Sequence, residues 1–227
     1  MGWIDLSAKA AHISPPSGVA DAVAAEIFNM LTVSAGLLLG RLGRALVHGA
    51  AVVGPSGRAV ALIGDSRSGK STTCANLLKA GWRYLSDDQI VIWVDGGRVL
   101  LEGWPRRFHL DEGWHRGVPT GTRGTVRSGS LGRNCRRRIV PLGGVALTNV
   151  SPNLPTAGSR CTSAQVFEQL VRQSPWFLTD LGGRAAVLQL FIEAARLPRC
   201  RLRLGADTFH APSLVSQLFA TLFEGQI

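Results

Sequence analysis

The chain has 227 residues and a mass of 24.2 kDa, enough for one well-cored α/β domain and too little for two large ones. With 45% hydrophobic and 18% charged residues it is neither a disordered nor a collagen-like chain. Its formal net charge is +10, and Lys9, Lys70 and Lys79 are the only lysines among 25 basic residues; charge alone supports only sequence-blind binding to nucleic acid, for which no fold signature is present.

Residues 1–20 carry Pro15, Pro16 and Gly18 and read as an irregular lead-in. Asp5 precedes any basic residue and no apolar segment follows it, so no secretory signal is read there. Val23, Ala24, Ile27, Met30 and Leu31 recur at helical spacing behind a capping Asp21, which predicts a helix over 21–32. The apolar stretch from Met30 to Gly40 is broken by Thr32, Ser34 and Gly36. It falls short of the ~20 residues a membrane span needs, and no membrane partner is expected.

Leu46 to Val53, containing His48, and Ala59 to Ile63 read as two strands joined by the turn Gly54-Pro55-Ser56-Gly57. A helix over 72–78 closes at Gly81. Trp82 to Leu85 and Gln89 to Val94 are extended on either side of Ser86-Asp87-Asp88, and Asp95-Gly96-Gly97 turns into Arg98 to Leu101 as a hairpin. Gly113 to Phe167 holds no acidic residue but includes Arg116, Arg123, Arg127, Arg133, Arg136, Arg137, Arg138 and Arg160. Within it, 113–138 reads as a mobile basic loop near the active site. A strand over 139–150, helices over 164–172 and 184–195, a strand over 201–204 and a helix over 213–223 follow, within a single domain spanning 1–227. Cys74, Cys135, Cys161 and Cys200 have neither metal-site nor disulfide spacing, so reduced thiols and a cytoplasmic location are expected.

Gly64-Asp65-Ser66-Arg67-Ser68-Gly69-Lys70-Ser71, followed by Thr72, satisfies the P-loop pattern after an apolar strand and before a helix. Glycines let backbone N–H groups curl around phosphates, and the helix offers its positive end to the same anion. Lys70 would reach the β and γ phosphates, and Ser71 would hold Mg²⁺. Asp87 and Asp88 are the acids placed to follow: one can hold the metal while the other accepts a proton from an attacking hydroxyl, in an order the sequence leaves open. His48, alone among apolar neighbours, reads by itself as a core residue.

The ordered segments Val47-His48-Gly49-Ala50-Ala51-Val52-Val53, Ala61 to Thr72 and Gly81-Trp82-Arg83-Tyr84-Leu85-Ser86-Asp87-Asp88, with Gly103-Trp104-Pro105-Arg106-Arg107, resemble the catalytic domain of the HPr kinase family. The resemblance is densest over 46–110. It implies an α/β P-loop nucleotide-binding domain of the HPr kinase C-terminal type, a mixed sheet with flanking helices. It also implies binding of Mg-ATP at Lys70 and Ser71, a base and metal ligand in Asp87 and Asp88, and support from His48. Only about 45 residues precede His48, and the family's Arg-Gly-Leu-Gly signature has no clear counterpart over 133–149. The chain therefore looks more like the short relatives, kinases of the C-terminal serine of lasso-peptide precursors and kinases of free serine. Arg106, Arg107, Arg136, Arg137 and Arg138 are candidates for gripping phosphate or an acceptor carboxylate. The rival classes are a regulatory ATPase, whose hydrolysis would ignore any hydroxyl compound, and a basic nucleic-acid-binding module. A homo-oligomer is left open.

Overall fold

A computed structural model of the chain describes residues 2–5, 7, 8, 10–13, 21–104, 108–114 and 120–223. The lead-in contains a hairpin where an irregular segment is expected: β1 (Gly2–Asp5) pairs antiparallel with β2 (Ala10–Ile13). Asp5 closes it, its Oδ1 accepting from the backbone N–H of Ser7 and Ala8 at 2.9 Å, a side-chain turn that strand periodicity does not reveal. Helix α1 (Asp21–Arg41) runs well past the expected end at residue 32. The apolar stretch continues it, with the Ser34 hydroxyl donating back to Met30 O at 2.8 Å and Gly36 lying so close to Trp176 that a Cβ there would stand 2.3 Å from the indole. Among the described residues no helix is long and apolar enough to cross a membrane.

The chain continues through β3 (Arg44–Val47), β4 (Gly49–Val53), β5 (Ala59–Ile63), α2 (Lys70–Lys79), β6 (Arg83–Ser86), β7 (Ile90–Asp95) and β8 (Arg98–Gly103). It then forms β9 (Phe108–Asp111), β10 (Arg123–Val126), β11 (Arg133–Asn134), β12 (Ile139–Val150), β13 (Ala157–Ser159), α3 (Ser163–Arg172), α4 (Leu181–Arg196), β14 (Arg199–Leu204), α5 (Asp207–His210) and α6 (Ser213–Phe223). The fold is mixed α/β. Ten strands form one sheet with the path β11-β6-β4-β5-β12-β8-β7-β3, and β14 lies against both β12 and β13.

Strand β12 holds the sheet together. Its first residues, Ile139 to Pro141, pair antiparallel with β8; from Leu142 it runs parallel to β5, with a register shift between Leu142 and Gly144, and over Val145 to Val150 parallel to β14. Strands β4 and β5 are buried along their whole length because both faces are covered. Alternate side chains split between two cores. Ala51, Val53, Ala61 and Ile63 join Val166, Leu170, Leu190 and Phe191 of α3 and α4, whereas Val52, Val60 and Leu62 join Cys74, Leu77, Phe219 and Phe223 of α2 and α6.

Two further expectations are corrected. Leu46 to Val53 is not one strand: β3 pairs with β7 and β4 with β5 and β6, so the chain changes neighbours at His48, which sits in the break. The basic loop over 113–138 is partly ordered structure: β10 pairs with β9, β11 with β6, and Leu131 is buried. The Asp111 carboxylate organises the segment by accepting from the N–H groups of Gly113, Thr120 and Gly121 at 2.8–2.9 Å. Residues 115–119 lie outside the described residues.

Candidate functional site

The turn between β5 and α2 forms the site. It follows a strand flanked by β4 and β12 and opens directly into a helix, whose first-turn N–H groups form a partial positive charge. Gly69 makes the transition at φ +90°, a conformation side chains rarely adopt. The Lys70 ammonium is buried and arches back over the turn, donating to Gly64 O at 2.7 Å and Asp65 O at 2.9 Å. The Ser68 and Thr148 hydroxyls lie 2.9 Å apart and fasten the turn to β12. Such a cradle, with a cation resting on carbonyls it can exchange for an anion, suits a phosphate chain.

Asp87 and Asp88 follow β6 and differ completely in setting. Asp87 is 2% exposed, and the Ser71 hydroxyl donates to its carboxylate with 3.0 Å to each oxygen. Burial pushes the Asp87 carboxyl above its ordinary range; the Ser71 hydrogen bond opposes this, the neighbouring Asp88 charge adds to it, and Lys70 and His109 draw it back. A buried carboxylate beside a serine hydroxyl is a hard-oxygen donor set, so these two residues fit a Mg²⁺ ion. Asp88, its side chain 44% exposed, stands at φ +79° with its Oδ1 3.0 Å from His48 Nε2, and its backbone carbonyl accepts from Gly49 N–H. The break between β3 and β4 is what brings His48 to it.

Three residues of the site have no signal in the sequence. Gln173 accepts from His48 N–H at 2.8 Å through its backbone carbonyl, and its side-chain amide donates to Asp65 Oδ1 at 2.9 Å, tying the histidine to the glycine-rich turn. Thr148 contributes from the middle of β12, and His109 sends its field to Asp87 from β9. A cavity of about 750 Å³ opens beside the turn, bounded by Gly69, Ser71, Thr72, Asp111, Thr122 and Phe209. A smaller one of about 260 Å³ lies along Gly64, Asp65, Ser66, Arg67 and Ser68. From the 113–138 segment, Gly121 and Thr122 line the larger cavity.

Arg136 and Arg137 are not brought to this site. They line a cavity with Val53 and Gly57, at the end of the β4–β5 hairpin away from Gly64, and Arg138 is exposed beside them. Their expected grip on phosphate or acceptor at the glycine-rich turn does not follow, because β11 starts beside Arg83, which pairs with Val53 at the far end of the β4–β5 hairpin, and the cavity they line lies there. Arg106 and Arg107 lie outside the described residues.

No family model matches the chain, and no curated protein does. Among solved structures it is similar to the HPr(Ser) kinase/phosphatase from Coxiella burnetii, with 12% identity over 78% of this chain and 94% of that one and a TM-score of 0.40. A likeness at that level assigns neither residues nor activity.

Proposed function

We propose that the protein is a kinase that transfers the γ-phosphoryl group of ATP to a serine-type hydroxyl. The reading rests on one observation: Lys70, the Ser71–Asp87 pair and the His48–Asp88 pair converge at the N-terminus of α2. The turn and Lys70 would bind the phosphates, and Ser71 and Asp87 would hold Mg²⁺. When bound, that ion would neutralise charge on the phosphates.

Asp88, half-exposed and outside the Ser71 pair, is assigned as the base. It takes the proton of the acceptor hydroxyl as the oxygen bonds to the γ-phosphorus and the bond to the β-phosphate oxygen breaks, releasing ADP. His48 holds the Asp88 carboxylate in line and stabilises its charge. With a loose transition state, positioning and charge neutralisation carry most of the acceleration. The motif resemblance to the short HPr kinase-like enzymes favours, as acceptor, the C-terminal serine of a ribosomal precursor peptide of the lasso type.

The test is mass spectrometry of serine-terminated peptides after incubation with Mg-ATP, with Lys70→Ala as control. One added phosphoryl group on the terminal serine, reduced ~10²–10³-fold in the control, supports the reading. Phosphorylation of free serine alone transfers the activity to a small-alcohol kinase. ATP hydrolysis indifferent to every hydroxyl compound replaces it with an ATPase.

A further inference from the structure

The arginines absent from the glycine-rich turn line a feature of their own. A cavity of about 740 Å³ lies where β11 passes the closed end of the β4–β5 hairpin. Arg83, Arg133, Arg136 and Arg137 surround it, Val53 and Val140 provide apolar surface, and its lining includes no carboxylate among the described residues. Arg83 is partly engaged, reaching Gly54 O at 3.4 Å. No ion pair or side-chain hydrogen bond engages Arg133, Arg136 or Arg137 among the described residues, and all three are exposed.

Four guanidinium groups around one concavity repel one another, a cost that an anionic occupant reverses. The register Gly49↔Ile63 at one end of the hairpin and Val53↔Ala59 at the other separates this cavity from the glycine-rich turn by roughly 14 Å of strand, at ~3.4 Å per residue. It is therefore no part of the phosphate cradle.

The chemistry that fits is an extended segment bearing several carboxylates with aliphatic residues between them. Three of the four guanidinium groups are spread along β11 and the chain just after it, with Arg83 on the paired β6; β11 is the terminal strand of the sheet path, and the apolar surface suits aliphatic side chains. We infer that this arginine-lined cavity docks an acidic stretch of the polypeptide whose hydroxyl is phosphorylated at α2, an inference that rests on the kinase reading for its partner. Bidentate guanidinium–carboxylate contacts would supply the specificity. Docking so far from the chemistry would lower KM for a long acceptor and leave a short one untouched.

The test measures binding apart from transfer. Fluorescence anisotropy would follow a labelled peptide of alternating Glu and Val, which offers no hydroxyl to phosphorylate, at about 50 mM and about 300 mM salt. Saturable, salt-sensitive binding is expected, weakened about tenfold in Arg133→Ala/Arg136→Ala/Arg137→Ala and unchanged in Lys70→Ala. These side chains are exposed, so the triple variant should melt with the wild type; the Arg→Lys triple, which keeps the charge, should recover part of the affinity. Binding that survives the alanine variant, or no saturable binding, overturns the assignment, whether or not the protein transfers phosphate. Displacement of the peptide by tripolyphosphate or single-stranded DNA at lower concentration than by unlabelled peptide overturns it in favour of a small-anion or nucleic-acid site.

Discussion

Replacing Gly69 by alanine tests whether the glycine-rich turn is held in its shape by packing against the end of the sheet. Gly69 has φ +90°, and a Cβ built on it would stand 2.2 Å from Leu204 Cδ1 and 3.1 Å from Val150 Cγ2. The left-handed backbone costs alanine about 1–2 kcal/mol. Leu204 is 2% exposed and packed among Val215 and Phe219, so it cannot swing clear, and overpacking adds about 1–3 kcal/mol. The total of about 2–5 kcal/mol corresponds to a fall in Tm of roughly 4–20 °C for a chain of this length.

Leu204→Val removes the offending carbon and, on a strand, costs only about 1 kcal/mol by itself. The double variant should therefore recover about 1–3 kcal/mol relative to the sum of the singles, read from urea unfolding followed by tryptophan fluorescence. Nucleotide binding should fall in Gly69→Ala, because α2 begins at the next residue. Additivity within about 0.5 kcal/mol would refute the steric argument.

Asp87→Asn should raise the Tm of the nucleotide-free protein at neutral pH while abolishing turnover. The folded pKa of Asp87 lies above its unfolded value, so its contribution to stability is full below about 3.9 and is lost as pH rises through the folded value. Melting curves with a chelator present should accordingly show the variant's advantage shrinking as pH falls through that window; an advantage independent of pH would contradict burial as its cause. Asp88→Asn should behave differently, lowering kcat by ~10²–10⁴-fold with nucleotide affinity kept, since the side chain is half-exposed and outside the Ser71 pair. Isothermal titration and single-turnover assays separate the two, and equal loss of binding in both variants would undo the division of labour.

Much of the fold is written in local pattern. The helix over 213–223 and the strand over 139–150 have the bounds their periodicity predicts, and α3 begins at Ser163 because Thr162 and Gln165 form a reciprocal cap. The glycine-rich turn is legible for the same reason: a strand, glycines, a lysine and a helix follow one another within one short segment. Asp87 and Asp88 stand out as adjacent acids between two strands, but their difference in burial has no local signature.

His48 illustrates the limit. In sequence it is one polar residue in an apolar run, which period-2 alternation cannot divide; only the exchange of β7 for β5 and β6 as strand partners breaks the run and turns the imidazole to Asp88. The hairpin of β1 and β2, the ordered part of 113–138 and the full length of α1 escaped for related reasons, since side-chain turns at Asp5 and Asp111 and the close contact of Gly36 with Trp176 are tertiary or turn-specific.

By itself the sequence determined the order of elements around the turn and which residue types could bind phosphate, because propensity, capping and phosphate-loop spacing act over a few residues. The tertiary structure alone decided that Ser71 meets Asp87 and not Asp88, that Gln173 joins His48 to Asp65, and that Arg136 and Arg137 stand at the far end of the sheet. Those outcomes depend on strand register and on contacts between residues far apart in the chain, and a register shift of one residue turns every side chain to the opposite face.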